Sequence, residues 1–420
     1  MTDAQTLPGP LAGLRVLELA DEKGQFCGKL MGDLGADVIK IEPLGGEVTR
    51  SVGPFLDDLP HPERSLFFWY YNTSKRGITL NLETADGRQL FRRLAATADL
   101  ILETFPAGFL AALGLGYEAL RDENPGLIMC ALTPFGQTGP WRNYLTSDLL
   151  HMAAGGQMAS CGYDEEDAPG APPIAPGGGN AWHMGCHFAY MAIMAALVYR
   201  TVTGRGQYID ASIHDACALT TEAAIPNYIY RQEVVQRQTG RHHAPAPTPR
   251  TQFRSKDGRY VTALVAGRLN PRYVKDLAEL LDSYGMAADL KDPKYQDPAV
   301  IEANRSYIIE ELVANFIANL PAEEVYHAAQ TRGFTWGAVR APEELVDDAH
   351  LHDREFWKQV EHPELGRRFV YPGEAAIYNG SPWRISRRAP LIGEHNSDIF
   401  CGELGLSPQE LSMLAESRVI

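Results

Sequence analysis

The first 135 residues alternate short β-rich runs with helical stretches, and this alternation restricts the fold more than any other feature of the chain. Two of the helical stretches read FCGKLMGDLG and GRQLFRRLAATA. Because parallel strands are joined by crossovers, usually helices, the rhythm predicts a mainly parallel sheet covered by helices. The predicted strands are LRVLEL (14–19), DVIKIE (37–42), ITLNL (78–82), LILET (100–104) and LIMCAL (127–132).

The pattern then changes, and the change divides the chain into two predicted lobes. The first is a large, Rossmann-like α/β lobe. The second is a small α+β lobe that begins with the hairpin turn Lys256-Asp257-Gly258 and continues into amphipathic helices. The predicted boundaries are 1–220 for the large lobe, 221–249 for a Pro-rich linker, 250–335 for the small lobe, 336–388 for a return linker and about 389–420 for a segment that completes the large lobe.

Charge and composition exclude several functional classes. The formal net charge is -15, from 38 Lys+Arg and 53 Asp+Glu, and no basic tail offsets it, so we expect no nucleic-acid partner. The six cysteines form no CxxC pair, which is typical of reduced thiols in the cytoplasm. We expect no signal peptide, because MTDAQTLPGPLAG has neither a basic start nor an apolar core. The longest apolar run, Phe188 to Tyr199, is shorter than a bilayer span, so we expect a buried helix and no membrane association.

Three catalytic or cofactor motifs are incomplete in this chain. Gly24, Gly28 and Glu42 resemble a dinucleotide fingerprint, but the first turn reads G-x-x-x-G instead of G-x-G-x-x-G, which favours a structural role for these glycines. His183 and His187 lie four residues apart without a third ligand, so packed histidines are favoured over a metal site. No G-x-S-x-G elbow is present. The sequence therefore predicts neither a cofactor nor a metal.

A set of ordered phrases resembles the class III (CaiB/BaiF-type) CoA-transferases. The resemblance covers nearly the whole chain, in order and at the spacing typical of the family. The phrases are LPGPLAGLRVLEL (7–19), LGADVIKIEPLGGEVTR (34–50), NTSKRGITLNLET (72–84), ADLILETFPAG (98–108), LGLGYEAL (113–120), PFGQTGPW (134–141), AALVYRTVTGRGQYIDAS (195–212), TRGFTWGAVRAPEEL (331–345) and APLIGEHN (389–396).

The resemblance implies a coenzyme A thioester as substrate and suggests which residues contact it. A cationic pair would hold the diphosphate, although an exposed, solvated pair is an equally good interpretation of those two residues. A loop at the end of a strand would hold the base or ribose, and a glycine permits close approach of the backbone. Pro43 and Ala112 stand where transferases often carry basic residues. The predicted CoA contacts are Lys75, Arg76, Thr104, Phe105, Phe135, Gly136 and Gln137.

The family resemblance also implies an interlocked dimer and covalent chemistry. An Asp carboxylate attacks the donor thioester, forms a mixed anhydride and then an enzyme-CoA thioester, and passes CoA to an acceptor carboxylate. That Asp stands four residues before a glycine, at the start of a helix that leads into GRGQ. This chain departs from the pattern, because no Asp or Glu occurs between Asp167 and Asp210. The alternative alignments place the nucleophile at Asn180, Ala181 or Trp182.

Three interpretations follow from the missing carboxylate. The favoured one is a subunit of a heteromeric CoA-transferase whose homologous partner supplies the Asp, an arrangement that resembles succinyl-CoA:benzylsuccinate CoA-transferase of aromatic degradation. This chain then has no catalytic residue of its own, and its substrates are an acyl-CoA and a carboxylic acid. The second is a stand-alone acyl-CoA racemase or isomerase in which Asp148 and His151 perform acid-base chemistry. The third is an acyl-CoA-binding protein without catalysis.

Overall fold

A computed structural model describes residues 7–420 and contains thirteen strands and fifteen α-helices in the described part. The strands are β1 Arg15–Leu19, β2 Asp37–Glu42, β3 Lys75–Thr79, β4 Leu100–Glu103, β5 Ile128–Thr133, β6 Tyr208–Ser212, β7 Gln236–Gln238, β8 Arg241–Ala244, β9 Gln252–Arg254, β10 Tyr260–Ala263, β11 Trp336–Ala338, β12 Trp357–His362 and β13 Arg367–Pro372. The helices are α1 Gln25–Asp33, α2 Leu66–Tyr71, α3 Ala85–Ala95, α4 Phe109–Ala112, α5 Tyr117–Leu120, α6 Asp148–Ala154, α7 Asn180–Thr203, α8 Ile213–Leu219, α9 Ala224–Arg231, α10 Pro271–Asp282, α11 Pro298–Ala303, α12 Ala314–Ala318, α13 Ala322–Gln330, α14 Ala349–Asp353 and α15 Pro408–Glu416.

The largest sheet has six strands in the order β3-β2-β1-β4-β5-β6, and all its neighbouring strands pair in parallel. This confirms the predicted α/β class with a mainly parallel, Rossmann-like sheet. The strand order reverses between β1 and β4, so the loops that follow these two strands diverge at the carboxyl edge of the sheet. That divergence forms a crevice in which α/β proteins commonly bind ligands.

One face of the sheet packs against α3 and the C-terminal segment. Leu90, Phe91 and Leu94 are buried because they recur on one side of α3 and face the strands. Phe400 and Val419 belong to the same core, and Asn81 donates a backbone hydrogen bond to Val419 (2.8 Å). The final segment therefore packs with the parallel sheet.

Two strands differ from the prediction. β3 begins at Lys75, three residues before the predicted ITLNL, because two charged residues open it and hide it from a hydrophobic pattern. β6 was not predicted, because it is a partly exposed edge strand of mixed polarity. The remaining four predicted strands lie within one residue of the observed bounds at each end.

The chain forms two compact units. Unit 1 contains the described residues up to Gly155, Pro176–Thr220 and Ala349–Ile420, and it holds the parallel sheet. Unit 2 contains Gly156–Ala175 and Thr221–Asp348, in which β9, β10 and β11 form an antiparallel sheet around a core that includes Phe316 and Trp336. Both predicted linkers differ from expectation, since 221–249 contains α9 and the β7–β8 hairpin, and 336–388 contains the β12–β13 hairpin. These elements are short, and their polar patterns resemble loops.

Helix α7 has 24 residues, is the longest of the described helices, and includes the run predicted as a buried helix. By length and composition alone it passes a test for a membrane span, with a third of its most apolar window buried. Its inner side contacts β5 and β6 and carries Gly185, Ala189 and Ile193 into the interior of unit 1. A core helix of this kind satisfies the same test, so the feature is weak evidence for a membrane.

Candidate functional site

The two loops at the point of strand reversal are tied together by one threonine. The backbone N–H of Asp21, which follows β1, donates to Thr104 Oγ1 (3.1 Å), and Thr104 Oγ1 donates to Asp21 Oδ1 (2.9 Å). Thr104 follows β4 directly, so this reciprocal pair holds the two sides of the crevice at a fixed separation. The remaining carboxylate oxygen of Asp21 forms an ion pair with Lys23.

Two cavities open on this edge of the sheet, one on each side of Phe109. The first, the Phe105 cavity, has a volume of about 330 Å³ and apolar walls that include Leu80, Leu82 and Phe105. The second, the Tyr208 cavity, has a volume of about 260 Å³ and is lined by polar groups of Glu103, Gln137 and Tyr208 among others. Their size fits a nucleobase or a small acyl group.

Glu103 ends β4 and is buried at the rim of the Tyr208 cavity. The backbone N–H of Phe105 donates to its Oε2 (2.7 Å). Burial, reinforced by the nearby charges of Asp21 and Asp210, raises the pKa of Glu103 to about 8. The side chain is therefore mostly a neutral carboxylic acid at pH 7, which both donates and accepts hydrogen bonds.

This raised pKa predicts a stability that falls as the pH rises. The unfolded chain loses the Glu103 proton near its ordinary pKa, the folded chain retains it to about pH 8, and unfolding therefore releases a proton between these values. We expect Glu103→Gln to be more stable than the wild type, by a margin that grows from pH 5 to pH 8 and reaches a few kcal/mol. Denaturant unfolding at four pH values measures this. A constant margin would contradict the assignment, and Glu118→Gln on the exposed rim is the control.

The predicted residues after β5 lie at the same edge as Thr104 and Phe105. Gly136 adopts φ +83°, a backbone conformation that favours glycine, and the turn directs the N–H of Gln137 to Asp210 Oδ1 (2.9 Å). The side chain of Gln137 accepts a hydrogen bond from Gly108 N–H (3.0 Å). Five of the seven predicted contacts, Thr104, Phe105, Phe135, Gly136 and Gln137, thus share one edge.

Lys75 and Arg76 are placed differently, because they open β3 and so lie toward the amino edge of the sheet. Lys75 is fully buried, and its ammonium group donates to Glu18 (2.9 Å), to the Gln25 carbonyl (2.8 Å) and to Asn72 (2.9 Å), which uses all three of its protons. Arg76 pairs with Asp37 and Glu403. The structure therefore separates this pair from the other five predicted contacts.

The glycines of the first crossover have a structural explanation. A Cβ atom built on Gly28 would lie 1.5 Å from Glu18 Oε2, so the absence of a side chain makes room for the buried carboxylate that pairs with Lys75 and Lys40. This agrees with the structural role that the sequence favoured over dinucleotide binding.

The first turn of α7 is where the sequence placed the missing nucleophile. Ala181 is fully buried, and its backbone N–H donates to Asp148 Oδ1 (2.8 Å). Asp148 lies in the first turn of α6, and its carboxylate supplies the acceptor that the start of α7 lacks. The sequence alone could not reveal this bond, because the two residues lie 33 positions apart.

Three histidines near this turn make contacts within unit 1. Nε2 of His151 lies 2.5 Å from Thr146 Oγ1, and burial lowers the pKa of His151 to about 4. Nε2 of His183 lies 3.0 Å from Tyr71 Oη, and Nδ1 of His187 lies 2.7 Å from the His183 carbonyl. Within residues 7–420, no three His, Cys, Asp or Glu side chains are placed to hold a metal ion. His183 is thus hydrogen-bonded to Tyr71, whereas His187 lies on the exposed side of α7.

Comparisons with known proteins agree with this architecture. The family model described as CoA-transferase family III matches residues 11–396. The succinyl-CoA–L-malate CoA-transferase beta subunit of Chloroflexus aurantiacus is 30% identical over 423 residues, with 100% of both chains covered. The succinyl-CoA:(R)-benzylsuccinate CoA-transferase subunit BbsE of Thauera aromatica is 30% identical, covering 92% of this chain and 93% of the relative. A CAIB/BAIF family protein from Brucella suis has a similar structure, with a TM-score of 0.79, 27% identity, and 94% and 99% of the two chains covered.

Proposed function

Because the chain belongs to CoA-transferase family III, we propose that it is the subunit of a heteromeric CoA-transferase that lacks the nucleophile. A homologous partner chain supplies the catalytic Asp in this proposal. The enzyme moves CoA from an acyl-CoA to a carboxylic acid and needs no metal or organic cofactor, since the CoA thioester is itself a substrate.

One observation carries the proposal: no carboxylate belongs to the first turn of α7. Counting back four residues from Gly185 places the nucleophile at Ala181, whose side chain is an inert methyl group inside the protein, and the alternatives Asn180 and Trp182 are not acidic either. The backbone N–H of Ala181 is already bonded to Asp148. Without a carboxylate in that place, the anhydride route is closed to this chain.

The outer face of α7 is consistent with the proposal of a partner chain. Met191, Val198 and Val202 are 53%, 65% and 82% exposed, so one side of this long helix presents apolar side chains to water. Patches of this kind are typical of surfaces that another chain covers. The two relatives described above are named as subunits, which is consistent with an assembly of more than one chain type.

The proposed chemistry balances without a further reactant. The partner's carboxylate adds to the thioester carbonyl, and the C–S bond breaks. The CoA thiolate departs, and the donor acyl group and the Asp now form a mixed anhydride. The thiolate then attacks the Asp carbonyl of that anhydride, which releases the donor acid and leaves an Asp-CoA thioester. The acceptor carboxylate attacks this thioester, and the thiolate finally takes the acceptor's acyl group and restores the Asp.

The relatives indicate the substrate class. Several are named for succinyl-CoA as donor, with acceptors that include L-malate, D-citramalate and (R)-benzylsuccinate. We propose succinyl-CoA as donor and a substituted dicarboxylic acid as acceptor, for example an acid of an aromatic pathway such as benzylsuccinate. The cytoplasm, where acyl-CoA thioesters are made and used, remains the proposed location.

The geometry does not support the alternative of a stand-alone enzyme that uses acid-base chemistry. Asp148 is engaged with the N–H of Ala181, and the lowered pKa of His151 keeps its imidazole neutral at pH 7. Neither group contacts the other through a hydrogen bond among the described residues, so they do not form the pair that proton transfer at a substrate carbon needs.

Incubating the purified chain alone with succinyl-CoA tests the proposal. We expect hydroxylamine or borohydride to leave this chain unmodified, because it has no carboxylate in the acylation position, and we expect mass spectrometry to find the label on the partner of the assembled enzyme. Label on Asp148 or on the acidic loop Asp164–Asp167 would show that the nucleophile had moved within this chain. An inactive, unlabelled pair would favour the binding-protein interpretation.

A further inference from the structure

The carboxyl edge of unit 1 has the shape of a nucleotide site but the opposite charge. The walls of the Phe105 cavity include only two ionisable side chains, Glu42 and Glu83, and those of the Tyr208 cavity include Glu103 and Glu118 with two tyrosines. No Lys or Arg side chain lines either cavity in the described chain. Asp21, Glu22 and Asp210 add further acidic groups along the same edge.

The cations closest to these strand ends are already paired. Arg50 forms a two-point contact with Glu42 (2.8 and 2.7 Å) and a third hydrogen bond to Glu63 (2.8 Å). Lys40 lies 3.2 Å from Glu18 and 3.6 Å from Glu47. Both cations are buried, so neither turns outward without leaving a buried carboxylate unpaired, which is strongly unfavourable.

Three further cations, Lys23, Arg88 and Arg121, lie beside the two cavities in the described chain. Arg121 pairs with Glu118 (2.6 Å), and Arg88 donates to the backbone carbonyls of Leu82 and Glu83 beside the Phe105 cavity. The ammonium group of Lys23 forms an ion pair with Asp21. Its charge also partly offsets the rise that burial causes in the pKa of Glu22 and Glu103. Carboxylates pair with Lys23 and Arg121, and the single charge of Arg88 does not create the positive potential that a polyphosphate requires.

CoA carries a diphosphate and a 3′-phosphate, and every phosphate must exchange water for protein donors when it binds. We infer that this chain's own sheet edge does not hold CoA, and that the heteromeric enzyme binds one CoA per pair, at the site that carries the partner's carboxylate. This inference rests on the proposed function, because the pair in question is the proposed heteromeric enzyme. Thr104 and Gln137 then serve to hold loops together, as their hydrogen bonds to Asp21, Gly108 and Asp210 indicate.

Calorimetric titration of the wild-type protein tests the inference directly. We expect the isolated chain to bind CoA with a Kd weaker than about 1 mM, and the assembled pair to bind one CoA per pair. Uncharged adenosine is the reference ligand. Because it carries no phosphate, its affinity for the apolar Phe105 cavity does not depend on the charge of the site. A micromolar Kd for the isolated chain, or two CoA molecules per pair, would overturn the inference.

A gain-of-binding variant tests the stated cause. Pro43 and Glu83 line the Phe105 cavity at exposed positions, so Pro43→Arg with Glu83→Lys adds two cations at its mouth and removes one acid. We expect CoA affinity to rise at least tenfold, to fall again in high salt, and adenosine affinity to stay unchanged. The matched control, Thr97→Arg with Asp122→Lys, makes the same charge change on exposed residues toward the amino edge and should not alter CoA affinity.

The outcomes remain distinguishable from those of the proposed function. A folded gain variant with unchanged CoA affinity would show that charge is not what excludes CoA. If circular dichroism shows that the variant is misfolded, the titration of the wild-type chain and the number of CoA molecules per pair still test the inference. An active pair that binds two CoA molecules contradicts only this inference, whereas a pair without turnover or labelled carboxylate contradicts the proposed function whatever its CoA count.

Discussion

Replacing the partner chain's nucleophilic Asp by Ala is expected to lower turnover of the assembled enzyme by about 10³-fold or more. The physical reason is that only one carboxylate per pair forms the anhydride, so its loss closes the covalent route completely. Steady-state rates with succinyl-CoA and a dicarboxylic acid, measured on pairs reconstituted from separately purified chains, give the comparison.

Ala181→Asp in this chain is the reciprocal experiment and is expected to restore little activity. The new carboxylate would be buried, and it would lie beside the Asp148 carboxylate that already accepts the N–H of residue 181. Ala181→Ser, which adds a hydroxyl without charge, controls for the added volume. If the partner's Asp is removed and the rate persists, this chain is catalytic by another route and the proposed function is wrong.

The second large effect is expected at Lys75. Lys75→Met removes the cation from a fully buried cluster and leaves Glu18 with Lys40 alone, at 3.2 Å. Burial lowers the pKa of Lys75 to about 8, so the group is still mostly charged at pH 7 and its loss matters there. We expect the free energy of unfolding of unit 1 to fall by about 3–5 kcal/mol, as is typical when one partner of a buried ion pair is removed.

Arg76→Ala is the matched control on the neighbouring residue. Its ion pairs with Asp37 and Glu403 are partly exposed, so we expect a loss of about 1 kcal/mol or less. The double variant Glu18→Gln with Lys75→Met should recover part of the stability, because no charge is then left alone in the interior. Unchanged stability with weaker CoA binding by the assembled enzyme would instead support the sequence-based interpretation of Lys75 as a CoA ligand.

The sequence was least informative where the meaning of a residue depends on distant partners. Lys75 and Arg76 are adjacent and chemically alike, yet one is fully buried and the other lies at the surface, because Glu18 reaches Lys75 from 57 residues away. The same applies to Glu103, whose ordinary appearance in the sequence gives no sign of a carboxyl group that is mostly neutral at pH 7. Thr104 and Asp21, which join the two loops of the crevice, are separated by 83 residues.

What the sequence determined by itself was the alternation of the first five strands with helices, the family, and the absence of a carboxylate between Asp167 and Asp210. Each of these depends on local periodicity or on a count of residues, which the chain carries regardless of how it folds. Only the tertiary structure decided that Asp148 caps α7, that the predicted cationic pair lies away from the crevice, and that the crevice is lined by acids. Burial and ion pairing are properties of neighbours in space, and these neighbours meet only when strands distant in sequence form one sheet.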